Sequence, residues 1–71
     1  MLIRQEVLGH RAFRIARVRD LRTIRLMEDG RVVLFLKFPA EKISRDRLKM
    51  LGAYWLRTGA IPRFPRQDEE E

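Results

Sequence analysis

The sequence predicts an α+β domain: a small antiparallel sheet of about three strands, one C-terminal helix packed on it, and a disordered acidic tail. Three observations predict this fold. An Asp29-Gly30 dipeptide separates two segments of strand-forming residues, a capped amphipathic segment follows at 45–58, and the last four residues are all acidic. Because 71 residues amount to one domain, we assign residues 1–66 to a single basic domain and residues 67–71 to the tail.

The first predicted strand lies in residues 11–19, where apolar and basic residues alternate until the pattern slips at Ala16-Arg17. A β-bulge at that point would restore the alternation. It would turn three apolar side chains inward and three arginines outward, namely Phe13, Ile15 and Val18 against Arg14, Arg17 and Arg19. The β-branched residues favour a strand. A basic amphipathic helix over 11–27 is the alternative, because Ala, Arg and Leu form helices well.

The Asp29-Gly30 turn predicts a hairpin with strands at about 22–28 and 31–38, because both central residues of a type I′ turn need positive φ. A two-residue loop pairs residues whose numbers sum to 59. One apolar patch then contains Leu26, Val33, Ile24 and Phe35. Arg22 lies opposite Lys37, a like-charge pair that costs stability unless an anion lies between the two side chains or the hairpin frays before that point.

The second strand of this hairpin is apolar on both faces, since Val32, Leu34 and Leu36 alternate with Val33 and Phe35. Such a strand is usually covered on both sides, and a chain of this length has little left to supply a second cover. We therefore expect Val32, Leu34 and Leu36 to form an interface with a second copy of the chain, in a homodimer, or with a protein partner. The N-terminal segment, which also contains apolar residues, is the alternative cover.

Residues 45–58 form the predicted helix, with Ser44 as its N-cap. Thr58-Gly59, followed by Pro62, ends it. The apolar stripe of this helix consists of Leu48, Leu51, Gly52, Trp55 and Leu56. Glycine costs up to ~1 kcal/mol in a helix interior, so we expect that Gly52 lets the helix approach the sheet closely.

The composition excludes several classes of function. With no cysteine and one histidine, the chain has neither a disulfide framework nor a thiolate metal site, and the histidine has no evident nucleophile partner. The longest apolar run, Val32–Leu36, is five residues, whereas a membrane helix needs ~20. We expect a soluble, cytoplasmic protein that is not an enzyme, needs no cofactor or metal, and has no membrane partner.

Charge indicates the class of partner. Residues 1–67 hold 16 bases, of which 13 are arginine, and six acids, which gives a formal charge of +10. In a domain of this charge the cationic side chains repel one another unless anions lie near them, and nucleic acid is the commonest polyanion in a cell. The planar fork of arginine also matches the geometry of phosphate.

The sequence therefore predicts non-catalytic binding of nucleic acid, with RNA slightly favoured over DNA, mainly through phosphate contacts. The predicted contacts come from an Arg-rich sheet face and from the start of the helix: Arg14, Arg17, Arg19, Arg22, Arg25, Lys37, Arg45, Arg47 and Lys49. At the helix start an anion would also meet free backbone N–H groups. A small protein-interaction subunit or adaptor that docks an acidic partner through the same Arg face is the alternative.

Two segments carry a partial resemblance to a known family. The chain begins Met1-Leu2-Ile3, and it passes from Phe38-Pro39-Ala40-Glu41 to Ile43-Ser44-Arg45-Asp46. Here it resembles the carbon storage regulator family, which are small dimeric RNA-binding translational repressors. The resemblance covers about a third of the chain, needs a one-residue gap after Pro39, and lacks that family's Gly-Glu-Thr segment near residue 9. It implies that Arg4 and Arg45 contact RNA.

Overall fold

The computed structural model describes residues 2–66. Its elements are β1 (Leu2–Leu8), β2 (Arg11–Val18), β3 (Leu21–Glu28), β4 (Arg31–Pro39), a short 3-10 helix (Ala40–Lys42) and α1 (Arg45–Thr58). The strands form one antiparallel sheet in the order β1-β2-β3-β4, and α1 packs on one face of it, chiefly against β2. The predicted α+β fold is confirmed, with four strands where about three were expected. The predicted tail, residues 67–71, lies outside the described residues.

Two-residue turns connect the strands in sequence. The first residue of each turn has a positive φ, +64° at Gly9, +57° at Arg19 and +53° at Asp29. Gly30 follows Asp29 with φ +78°, which confirms the predicted type I′ turn. Residues 11–27 therefore belong to β2, a turn and β3, and not to the alternative basic helix.

β2 pairs with both neighbouring strands without a break in register, so the bulge predicted at Ala16-Arg17 is wrong. Regular alternation places Phe13 and Ile15 toward α1 and Arg14 away from it, as expected. It also places Arg17 on the helix side and Val18 on the opposite side, which reverses the prediction for both. An unbroken strand accepts an arginine on the helix side here because Arg17 lies near the end of β2, beyond the buried core.

The bulge lies in β4 instead. Glu28 pairs with Arg31 beside the turn, as a two-residue loop requires, but Leu26 then pairs with Leu34. Val33 is the extra residue in β4, and from there onward paired residue numbers sum to 60. A shift of one residue exchanges the two faces of a strand. Leu34, Leu36 and Phe38 therefore face α1.

The predicted pairings beyond the bulge fail for this reason. Arg22 lies opposite Phe38, and Lys37 lies opposite Thr23, so the like-charge pair of Arg22 with Lys37 does not form. The predicted apolar patch of Leu26, Val33, Ile24 and Phe35 is also wrong, because the partners of Leu26 and Ile24 are Leu34 and Leu36. A strand that is apolar on both faces fits either register equally well, which is why the sequence pattern did not separate them.

The core lies between α1 and the sheet. Its buried residues are Phe13, Ile15, Ile24, Leu26, Phe38, Ile43, Leu48, Trp55 and Leu56. The indole N–H of Trp55 donates to the carbonyl oxygens of Ala12 and Met27, at 3.2 Å each, so its polar atom is satisfied inside the core. After the helix, the chain returns over the sheet, and the ring centroid of Phe64 lies 6.2 Å from that of Phe38.

The helix bounds and caps are as predicted. The Oγ of Ser44 accepts a hydrogen bond from the Arg47 N–H at 3.1 Å, and Gly59, at φ +75°, donates its N–H to the Trp55 carbonyl at 2.9 Å. Gly52 is buried, and a Cβ added to it would overlap the ring of Phe13. The predicted close approach of helix and sheet is therefore confirmed at this contact.

Replacing Gly52 with alanine should destabilise the protein. Alanine gains up to ~1 kcal/mol in helix propensity, but overpacking against the Phe13 ring costs about 1–3 kcal/mol. We expect urea denaturation followed by circular dichroism to give a lower free energy of unfolding for Gly52→Ala. Met50→Ala, at a position 70% exposed on the same helix, should stay within about 0.5 kcal/mol of the wild type. A more stable Gly52→Ala variant would contradict the close packing.

The register of β4 gives a second prediction. Leu36 packs against the core, whereas Val32 is 52% exposed on the other face. Leu36→Glu should lower the free energy of unfolding by more than about 2 kcal/mol, because it places a carboxylate against apolar side chains. Val32→Glu should cost less than about 1 kcal/mol. Without the bulge, Leu36 would lie opposite Thr23 on the same face as Val32, so a similarly small loss for Leu36→Glu and Val32→Glu in thermal melts would support that register.

Candidate functional site

Four arginine side chains surround one concavity at the end of the sheet where α1 begins. The concavity, of about 160 Å³, is lined by Arg4 of β1, Arg17 of β2, Arg22 of β3 and Arg45 of α1, together with Ile3, Ile15, Ala16 and Leu48. We call it the arginine pocket. Register explains its composition, because Arg17 pairs with Arg22 and Arg4 lies on the same sheet face in the neighbouring strand. None of the described residues that line it is acidic.

Three of the four guanidinium groups are held by a hydrogen bond from Nε. Arg17 Nε donates to the Arg19 carbonyl at 2.6 Å, and Arg22 Nε donates to the Ala40 carbonyl at 3.4 Å. Arg4 Nε donates to a Glu6 carboxylate oxygen at 2.9 Å. Within residues 2–66, the Nη groups of these three arginines make no hydrogen bond. The side chains are thus oriented while their terminal donors remain available, the arrangement that suits bidentate contact with an oxyanion.

The charge of the pocket is poorly compensated. Arg17 and Arg22 lie opposite each other on adjacent strands, and a like-charge pair in this position is destabilising. Over the described part of the chain, only Arg4 among the four pocket arginines has an ion pair, with Glu6. The arrangement is therefore one that an added anion would stabilise.

Two acids lie beside the pocket. Asp20 and Glu41 line a neighbouring hollow together with Arg17 and Arg22. Neither acid forms an ion pair with those arginines in the region from residue 2 to residue 66. They border the site at the β2–β3 turn and at the 3-10 helix.

A second pair of arginines lies on the sheet face opposite α1, which we call the open face. Arg14 of β2 pairs with Arg25 of β3, and the Arg25 guanidinium carbon lies 5.0 Å from the ring centroid of Phe35, within cation–π range. A groove of about 250 Å³ on this face is lined by Ile3, Arg14, Ala16, Val18, Thr23, Arg25 and Phe35. By strand alternation Lys37 is also on the open face.

The predicted contact residues therefore divide between two surfaces. Arg17, Arg22 and Arg45 line the arginine pocket, while Arg14, Arg25 and Lys37 lie on the open face. Arg19 is exposed in the β2–β3 turn, and Arg47 and Lys49 line neither the pocket nor the groove. The strands do not form the single Arg-rich face that the sequence predicted.

The three residues predicted as an interface do not share a surface. Leu34 and Leu36 pack against the core on the helix side, whereas Val32 lies on the open face. β1 does not cover that face either, because it extends the sheet at its edge. The exposed apolar side chains of the open face are Ile3, Val7, Val18, Leu21, Val32 and Phe35.

Reasoning from residue patterns missed Arg4 and Phe35. Arg4 entered only through the family resemblance, because residues 2–8 were not assigned as a strand. Phe35 was placed on the wrong face by the register without a bulge. The arginine pocket further requires knowing where α1 begins on the sheet, and no local pattern gives that position.

Other kinds of site find no support in the described residues. From residue 2 to residue 66, no three His, Asp or Glu side chains are grouped so that they could hold a metal ion. Nor does that region contain a helix of the length and apolar character needed to cross a membrane.

Comparison with known proteins gives no match: no family model, no curated protein and no solved structure is significantly similar to the chain. The partial resemblance to the carbon storage regulator family is thus not accompanied by a family match. The two arginine surfaces are the features of the described residues that bear on function.

Phosphate should stabilise the protein through the arginine pocket. An anion that binds only the folded state raises stability by mass action, and about 1 kcal/mol raises the melting temperature of a domain this small by about 4–8 °C. We expect a larger rise in 100 mM phosphate than in chloride of equal ionic strength. Arg17→Gln/Arg22→Gln should lose most of that difference, while Arg31→Gln/Arg57→Gln, with the same change in charge, should keep it. Equal loss in both variants would indicate an effect of net charge, and a difference that both variants keep in full would indicate a general salt effect.

Proposed function

We propose that this protein is a non-catalytic nucleic-acid-binding domain that contacts phosphate through the arginine pocket. The observation that carries the proposal is that four arginines line one concavity, with no acid among its described lining residues. Three of these arginines are oriented through Nε. Positioned guanidinium groups with unpaired terminal N–H donors are the groups that proteins use to hold phosphate.

The distribution of charge favours a polyanion over a single small anion. Besides the pocket, the sheet carries a second Arg–Arg pair, Arg14 with Arg25, on its other face. One phosphate ion would compensate one such pair and leave the other. A chain of phosphates can compensate both pairs, and it can also balance the +10 of residues 1–67.

An acidic protein partner is the alternative, since carboxylates also pair with arginine. The apolar side chains of the open face favour it, because such side chains are common at protein interfaces. The two functions differ in salt dependence toward nucleic acid. A domain that docks only an acidic protein should not retain RNA or DNA at low salt.

The test is a salt titration of binding to labelled RNA and DNA of random sequence, followed by fluorescence anisotropy. We expect log K to fall linearly with log salt for both. Arg17→Gln/Arg22→Gln should weaken binding at 50 mM salt by about 10- to 100-fold and reduce the slope by about 1.5–2, because two phosphate contacts are lost.

The matched control is Arg31→Gln/Arg57→Gln, which removes the same charge at the β3–β4 turn and in the last turn of α1. It should weaken binding much less. If the wild type binds neither nucleic acid at low salt, the proposed function is wrong. If both double variants weaken binding equally, binding depends on net charge and not on the pocket.

A further inference from the structure

The open face combines exposed apolar side chains with cations. Val7, Val32 and Phe35 are 62%, 52% and 43% exposed, which is far from the core packing of the helix side. The charged residues that strand alternation places on this face are Arg14, Arg25 and Lys37, and within β1–β4 no acid shares it. The occupant of this face must therefore offer apolar area and negative charge together.

Phe35 is the residue best placed to contact such an occupant. Its ring borders the open-face groove, and although the Arg25 guanidinium lies 5.0 Å from its centroid, nearly half of the side chain remains exposed. An aromatic ring beside arginines is a platform on which a nucleobase stacks while its phosphates meet the cations. The groove and the arginine pocket lie at the same end of the sheet, since Ile3 and Ala16 line both.

A second copy of the chain fits the charge of this face less well. Packing two open faces together would bring one Arg14–Arg25 pair against another, and strands β1–β4 place no acid on that face to offset them. Duplex nucleic acid supplies the negative charge, but its bases are stacked inside and only their edges reach the grooves. A single strand offers both the flat apolar faces of its bases and regularly spaced phosphates.

We propose that the open face binds single-stranded nucleic acid, with one base stacked on Phe35 and phosphates near Arg14 and Arg25. This inference rests on the proposed function and adds a substrate class to it. The domain is then expected to favour a single strand over a duplex of the same sequence at equal salt concentration.

The experiment measures binding of the full chain to a labelled single-stranded oligonucleotide and to its duplex, in both RNA and DNA. Phe35→Leu keeps an apolar side chain of similar size but removes the ring, and it should weaken single-strand binding by about 5- to 150-fold, the range measured for loss of one stacked base. Duplex binding and the salt slope should not change. Phe35→Tyr, which keeps the ring, should bind a single strand like the wild type.

Tyr54→Ala is the matched control, because Tyr54 is 41% exposed but lies on α1, away from the open face. It should leave both affinities unchanged. Circular dichroism melts of each variant establish that the fold is retained.

The outcomes separate this inference from the function on which it rests. If the wild type binds duplex as tightly as single strand, and Phe35→Leu binds both like the wild type, single-strand recognition is wrong while nucleic-acid binding stands. If Phe35→Leu instead shifts a monomer–dimer equilibrium measured by sedimentation, with no effect on nucleic acid, the open face is a self-association surface and the inference is overturned. If the wild type binds no nucleic acid, both proposals fail.

Discussion

The contact between Phe13 and Gly52 fixes the position of α1 on the sheet, and the remaining geometry depends on it. Because Gly52 has no Cβ, the helix backbone lies directly over the Phe13 ring of β2. Three further hydrogen bonds hold the C-terminal half of the helix. Two run from Trp55 Nε1 to the backbone carbonyls of Ala12 and Met27, and one runs from Arg11 to the Leu56 carbonyl at 3.1 Å. With α1 held in this way, its first residue, Arg45, reaches the end of the sheet where the other pocket arginines lie.

Two cross-strand pairs of arginines oppose the stability of this sheet. Adjacent strands carry two Arg–Arg pairs, Arg14 with Arg25 on one face and Arg17 with Arg22 on the other, and such pairs are destabilising in isolation. Arg11 is the opposite case, because its charge is compensated within the domain. Its Nε lies 3.5 Å from a Glu28 carboxylate oxygen, and its guanidinium carbon lies 5.6 Å from the Trp55 ring centroid. Places where a sequence departs from local stability rules are often functional sites, which is the reason the paired arginines, and not Arg11, are assigned a binding role.

The sequence predicted the features that depend on residues within one segment, and it missed those that depend on how several segments pack together. The helix depends on Ser44, on Gly59 and on an apolar stripe, which are all read within one segment, and its bounds were correct. The turn at Asp29-Gly30 was correct for the same reason. The register of β4 depends on a bulge at Val33 that selects between two equally apolar faces, so pattern alone could not determine it. The arginine pocket combines three strands and a helix end, so its charge was foreseen but its location was not, and only the family resemblance pointed to Arg4.

The bulge at Val33 also affects how readily β4 can pair with a strand of another molecule. β4 is at the edge of the sheet, and an edge strand offers unpaired backbone groups along which a strand of another molecule can align. The extra residue, Val33, is the third of the nine residues of β4, and it interrupts the regular spacing of donors and acceptors there. A strand of another molecule could pair along the whole of β4 only if it had a matching irregularity. The same residue that turns Leu34 and Leu36 into the core thus makes the edge a poor template for aggregation.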